Sequence, residues 1–298
     1  MTLQQIWSLM KTALNSWLND YVQSMGAALA YYTMFSIAPL LLIVISVAGV
    51  IFGEAAARAE IAGQLQSLMG EQGASAVQAL LTSVNQPAQG LAATAGGALL
   101  VLIGATTVFA ELQDSLDRIW RVPKSPGSGG ISGVWILLSG RLLSFGMILG
   151  IGFLLMVSLV FSAGLSAIGN WWSPLFGGWH VMANIADITL GFAITTGMFA
   201  LIYKVMPRAR ILWSDVWIGA VFAATLFAIG KFLIGAYIGR SAITSAFGAA
   251  GSLVALLVWV YYSAQIFLLG AEMTVAYATT FGSHRPTAPD SGAVAPLP

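Results

Sequence analysis

The sequence predicts an all-α integral membrane protein with six transmembrane helices and both termini in the cytoplasm. Three observations carry that prediction. Of 298 residues, 58% are hydrophobic and only 8% are charged, against about 25% charged in soluble domains, and the mean hydropathy is +0.86. Six windows stay apolar over the roughly 20 residues that a membrane-crossing helix needs. Lys and Arg are shared unevenly between the segments that join those windows. This composition excludes a soluble enzyme, a disordered chain and a basic nucleic-acid binder.

Residues 1–24 come first. Leu3, Ile6, Trp7, Met10, Leu14, Trp17, Leu18 and Tyr21 recur at helical spacing and form an apolar, Trp-bearing stripe. Such a helix either lies on the inner leaflet or packs against the cytoplasmic end of the bundle, and spacing does not separate the two. No short apolar core followed by a small-residue cleavage site is present, so the first span is expected to serve as an uncleaved insertion signal.

The membrane domain occupies 25–280, with spans at about 28–52, 91–110, 137–163, 185–206, 213–238 and 250–277. Pro39 falls inside the first and should kink it. Between the first two, residues 54–90 form the one long external loop. Ile61, Leu65 and Leu68 recur at helical spacing, as do Val77, Leu80, Leu81 and Val84, with Gly70 and Gly73 between the two runs. Neither run is long enough to span, so two short amphipathic helices capping the outer face are expected. A ligand lid is the alternative.

After span two, Leu112, Leu116, Ile119 and Trp120 continue a helical stripe that Pro123 and a Gly/Ser/Pro stretch end. This reads as a cytoplasmic elbow helix. Residues 281–298 are rich in Pro, Ala and Gly and are expected to be a disordered cytoplasmic tail. No internal repeat points to an inverted-repeat transporter.

Orientation follows from the basic residues. Lys11, Arg118, Arg121, Lys124, Arg141, Lys204, Arg208, Arg210 and Arg285 fall on one side, and only Arg58 and Arg240 on the other. The positive-inside rule then places both termini in the cytoplasm. Small residues at four-residue spacing, such as Ala220, Ala224 and Ala228, or Gly146 and Gly150, allow close helix approach. Packing within one protomer and a homo-oligomer seam both use such faces.

Chemistry is sparse. Cysteine is absent, and the only histidines are His180 and His284, so no metal site, iron–sulfur cluster or thiolate nucleophile is expected. No cofactor is implied. The informative groups are polar residues at membrane depth, which are expensive there and mark functional sites or helix pins. Glu111, Arg141 and Glu272 fall near the cytoplasmic boundary with complementary signs, as an ion-pair pin or as a charged mouth. Tyr261, Gln265 and Glu272 share one face of span six. Tyr32 and Ser36 stand one turn apart in span one. Two polar stripes at matching depth suggest a hydrated pocket open to the cytoplasm, although interhelical hydrogen bonds account for them equally well. In the outer half, Asp187 and Lys231 pair, or Lys231 snorkels outward.

Four stretches carry a resemblance. Residues 27–40 (AALAYYTMFSIAPL), Asp117–Trp120 (DRIW), Tyr203–Pro207 (YKVMP) and 248–272 (GAAGSLVALLVWVYYSAQIFLLGAE) resemble, in order and spacing, the YihY/virulence factor BrkB family of bacterial inner-membrane proteins. The likeness covers about residues 5–280. It implies a six-span helical bundle, in agreement with the span count. Family members carry labels as virulence or serum-resistance factors, some are suspected of moving envelope lipids, and an old label is ribonuclease BN. Tyr31, Tyr32, Pro39, Gln265 and Glu272 stand inside the matching motifs.

The residues speak against the ribonuclease label. RNA cleavage needs acid–base groups or paired metals together with a basic surface for phosphates, and here the basic residues are few and scattered. An intramembrane enzyme would need a nucleophile with its base, and no Ser–His pair or paired intramembrane Asp is apparent. Two functions remain. One is transporter-like handling of a lipid or small amphipathic solute through the cytoplasm-facing pocket, with membrane lipids as surroundings. The other is a structural or assembly partner in the envelope, docking through loop 54–90.

Overall fold

The computed structural model describes residues 2–84, 107–123, 179–240 and 250–285. Among them every regular element is a helix: α1 (Leu3–Asn19), α2 (Val22–Phe52), α3 (Glu54–Val84), α4 (residues 107–119), α5 (Trp179–Val205), α6 (Trp213–Arg240) and α7 (Gly251–Thr280). Four are long and apolar enough to cross a membrane, namely α2, α5, α6 and α7. They match four of the six expected spans. The expected span at 137–163 lies outside the described residues, as does that at 91–110 apart from its last four, and so does the tail beyond Arg285.

Helix α7 is the hub, packing against α1, α2, α3 and α6. Its approach to α6 is possible because Gly219 and Gly270 face each other. A Cβ on Gly270 would collide with Ala223 Cβ and the Tyr203 hydroxyl, and one on Gly219 with Thr274 and the Gly270 carbonyl. Ala220 and Ala224 are buried beside this crossing, whereas Ala228 is exposed. Gly146 and Gly150 lie outside the described residues. Helix α5 closes the group through Tyr203, which is fully buried, donates to Phe267 O at 2.6 Å and lies 4.9 Å from the Phe267 ring.

Helix α1 has two apolar faces rather than one. Leu9 and Ala13 are buried with Met273 and Ala276 of α7. On the opposite side Trp7, Leu14, Leu18 and Tyr21 are exposed. At 100° per residue, Leu9 lies about 200° from Trp7, so the helix packs on the bundle and also presents an apolar face outward. Of the two sequence readings for this segment, neither excludes the other.

Residues 54–84 form the expected pair of helices, and these pack along α2 and α7. Helix α3 breaks at Gly70 (φ 76°, ψ 177°), a conformation open only to glycine. Gly73 causes no break and packs on Met69 inside the second arm. A turn at Gly53 (φ 86°) sends the first arm back along α2. Leu65, Met69, Ala74, Val77 and Leu81 then share one apolar cluster with Ala38 and Ile45 of α2 and with Leu256 and Val260 of α7. Trp259 Nε1 donates to Leu68 O at 3.0 Å, tying the elbow to α7. The physical reason is composition: each arm has one strongly apolar face, and α2 and α7 offer the surface to bury it.

Valine at position 270 would overfill the α6–α7 crossing. Gly270→Val should destabilise by about 1–3 kcal/mol, read as a lower melting temperature of the solubilised protein, while Ala228→Val should leave it unchanged.

Candidate functional site

The site is built where α2 begins and α7 ends. The two helices run antiparallel, and Gln265 Nε2 donates to Gln23 O at 3.4 Å. Gly26 makes this approach possible, since any side chain there would occupy the Gln265 amide position. Two turns further along α7 stands Glu272, 2% exposed. The charged groups acting on it are Asp20, in the link between α1 and α2, and Arg121, just beyond α4.

Both links are strained. Tyr21 (φ 54°) and Arg121 (φ 51°) are the only described non-glycine residues with positive φ. A side chain in this left-handed region costs roughly 1–2 kcal/mol. Arg121 takes the place glycine usually holds in a Schellman ending, with Arg121 N donating to Arg118 O and Val122 N to Asp117 O, each at 2.9 Å. The chain therefore bends unfavourably at the two points that bring Asp20 and Arg121 to Glu272.

Several buried polar atoms on the converging segments have no hydrogen-bond partner among the described residues. They are Glu272 Oε1 and Gln265 Oε1 on α7, Ser115 Oγ and Asp117 Oδ2 on α4 and Trp17 Nε1 on α1, while Ser36 Oγ is in the same condition further along α2. Unmet polar groups in an apolar interior are costly. Their concentration here marks a place suited to water, a proton or the polar part of a ligand. Among the described residues no group of His, Asp and Glu is arranged to hold a metal ion.

Around this centre, two locks hold the helix ends together. In the first, Asp117 Oδ1 accepts from Arg208 N at 2.8 Å, and Arg208 Nη1 lies 3.3 Å from Oδ2. Gln113 Nε2 donates to Met206 O at 3.0 Å, and Lys204 Nζ donates to Ile211 O. Burial pushes the Asp117 carboxyl above the usual carboxylate range, against the pull of the Arg208 amide and guanidinium, and Asp114 adds to the rise. In the second lock, buried Asp215 accepts from Ser283 Oγ at 2.5 Å and from Ser283 N at 3.3 Å.

A Ser–His contact does exist, contrary to expectation. Ser283 Oγ lies 3.0 Å from His284 Nδ1, and the His284 ring rests on Trp120 at 5.5 Å. Ser283 gives its one hydrogen to Asp215, so His284 Nδ1 must be the donor to Ser283 Oγ. The arrangement ties the residues that follow α7 to Asp215 in the first turn of α6.

The two polar stripes do not face each other. Ser36 stands 13 residues beyond Gln23 on α2, about 20 Å along the axis, and Glu272 lies seven residues past Gln265 in the opposite direction, about 10 Å. Gln265 and Glu272 thus belong to the site. Tyr32 and Ser36 sit far along α2, where Tyr31 contacts Tyr32 and Phe35 edge-on at 5.6 and 5.0 Å. Tyr261 is exposed on α7. Pro39 is buried inside an α2 that continues through it.

Of the expected charged triad, Glu111 and Glu272 are described. Glu111 interacts with Asp114 and Arg118 of its own helix; burial raises its carboxyl first, Asp114 adds, and Arg118 opposes. Arg141 lies outside the described residues. Lys231 is exposed, and the Asp187 side chain is outside the described set. Sequence reasoning missed Asp20 and Arg121 as site residues, and Asp117, Arg208, Asp215 and Ser283 as locks. Asp117 was flagged only by lying in a motif, and Arg121 only as a topological charge.

Replacing Asp117 tests the first lock. Asp117→Ala removes the acceptor from Arg208 N and should destabilise by about 1.5–3 kcal/mol. Asp117→Asn keeps an oxygen in place and should lose less than half as much, measured by thermal unfolding of the solubilised protein.

Comparison with known proteins fits a membrane bundle of this kind. A family model described as virulence factor BrkB matches residues 13–295. A UPF0761 membrane protein of Alcanivorax borkumensis is 28% identical over 275 residues, covering 91% of this chain and 60% of the relative. Another, from Ralstonia nicotianae, is 29% identical over 271 residues, covering 89% and 58%. One from Vibrio vulnificus is 25% identical over 272 residues, covering 87% and 78%. The chain thus spans only about three-fifths of the length of the first two of these relatives. No solved structure matches. With a family model matching almost its whole length, the chain belongs to the virulence factor BrkB family of membrane proteins.

Proposed function

We propose that this protein handles a lipid or small amphipathic solute in a transporter-like manner, without catalysing a covalent reaction. The site is the polar centre around Glu272. Its location is a bacterial inner membrane, with the basic end of the bundle in the cytoplasm. One observation carries the reading: Glu272 is 2% exposed, with an oxygen that has no partner among the described residues, beside Asp20 and Arg121. Buried ionisable groups in membrane bundles mark substrate or ion pathways.

The grouping of charges supports the orientation. Arg118, Arg121, Lys204, Arg208 and Arg285 lie on segments that the two locks draw to one end, as the positive-inside rule requires of a cytoplasmic face. A docking role for 54–90 receives less support, because the apolar faces of both arms are already covered by α2 and α7.

Native mass spectrometry of gently solubilised protein tests the proposal, with wild type beside Glu272→Gln and Arg121→Ala. The expected result is a discrete lipid or solute adduct on the wild type, reduced at least tenfold in either variant while the fold persists. No adduct on any form, or an adduct indifferent to both substitutions, overturns it.

A further inference from the structure

The surfaces of α2 and α3 conflict unless water reaches between them and the lipid. From Leu40 to Phe52, α2 carries a single polar side chain, Ser46, and its hydroxyl donates back to Leu42 O at 2.7 Å. Val47 and Val50 face away from the protein, and Val50 is 88% exposed. A stretch this apolar, with its one hydroxyl satisfied internally, belongs in hydrocarbon.

Helix α3 lies alongside that same stretch. Its first arm, 16 residues from Glu54 to Met69, is about 24 Å long. It folds back from Gly53 so that Leu65 and Met69 join Ala38 and Ile45 in one cluster. The Trp259–Leu68 hydrogen bond fixes the elbow independently, because Trp259 lies within the apolar span of α7. The elbow at Gly70 is therefore far from the tip of α2 and well inside the bundle's apolar length.

The outward face of this hairpin is polar. Gln66, Glu71 and Gln78 are all exposed, and Glu71 directly follows the elbow. Side chains of this kind at hydrocarbon depth are tolerated only against protein or a water-filled cavity. We propose that α3 is a re-entrant hairpin whose polar face lines a water-filled vestibule, open on the membrane face remote from the basic end and reaching down to Glu71. The segment carries Glu54, Glu60 and Glu71 against Arg58, which is paired with Glu54 at 2.8 Å. A vestibule so charged admits neutral, zwitterionic or cationic polar groups and disfavours anions. This inference rests on α2 lying in the membrane and stands apart from the Glu272 site.

The chain contains no cysteine, so single cysteines report accessibility without background. Gln66→Cys, Glu71→Cys and Gln78→Cys would be compared with Val47→Cys, Val50→Cys, Leu65→Cys and Lys11→Cys, using a membrane-impermeant maleimide on spheroplasts and on inverted vesicles. Positions 66, 71 and 78 should react from the face opposite Lys11→Cys, at least tenfold faster than 47 and 50, with 65 protected. A lipid-soluble maleimide confirms that each protein is present and folded. Equal labelling at 47, 50, 66 and 71 would place the hairpin and the tip of α2 outside the membrane and overturn the proposal. Silence at 66 and 71 toward the impermeant reagent would overturn it too, whether the face is covered by lipid or, as disulfide cross-links between copies would reveal, by a second protomer.

Discussion

In hydrocarbon no water is at hand to satisfy a polar group, and the described structure is organised by that constraint. Along the spans the solutions are local. Thr195, Thr196, Thr225 and Thr274 each return their hydroxyl to the carbonyl four residues earlier. Where a polar side chain reaches further, it finds a backbone carbonyl on a neighbouring helix, as Tyr203 does at Phe267 and Trp259 at Leu68. These bonds require close helices, and close helices require the glycines at 26, 219 and 270. Polar satisfaction and small-residue packing are thus one requirement met by two kinds of residue.

The basic end of the bundle departs from that rule. There the polar groups are many, and among the described residues some lack partners while others are closed tightly. The Asp117–Arg208 and Asp215–Ser283 locks seal the helix ends. Between them Glu272 and Gln265 each keep an acceptor oxygen without a partner among the described residues. Two left-handed residues hold Asp20 and Arg121 toward Glu272. Strain and most of the unmet polarity coincide at this end, with Ser36 Oγ on α2 the exception among the described residues, and each is costly in a purely structural element.

Much of the fold was legible because membrane helices obey a simple composition rule. The spans at 185–206, 213–238 and 250–277 match α5, α6 and α7 to within a few residues at most ends. The break at Gly70 was readable from two apolar runs with glycine between them. The placement of those runs was not, because amphipathicity tells which face is buried and not against what. The same limit explains the site. Glu272, Gln265, Tyr32 and Ser36 were recognisable as polar groups in apolar spans, but their relative heights depend on the axial register of α2 against α7. That register is set by Gly26 receiving Gln265, a contact between residues 239 positions apart. The second apolar face of α1 was hidden for a related reason: Leu9 and Ala13 fall between the residues of a longer Trp-bearing stripe.

Helix α7 joins the two proposed regions. Trp259 marks the elbow of the hairpin, and Glu272 lies 13 residues on, about 20 Å along the same axis. Between them Val260, Ala264, Ile266, Phe267 and Leu268 are buried in the apolar core, and Phe267 is clasped by Tyr203 and Phe199. On the proposed reading, this aromatic plug is what separates water on one face from the polar centre on the other. Tyr203 binds the Phe267 carbonyl, and the segment that follows Tyr203 is itself held by the Asp117 lock through Arg208. A movement that opens the plug must therefore carry α5 with it. Any such opening would be felt at Asp117, about 90 residues away in sequence but mechanically adjacent.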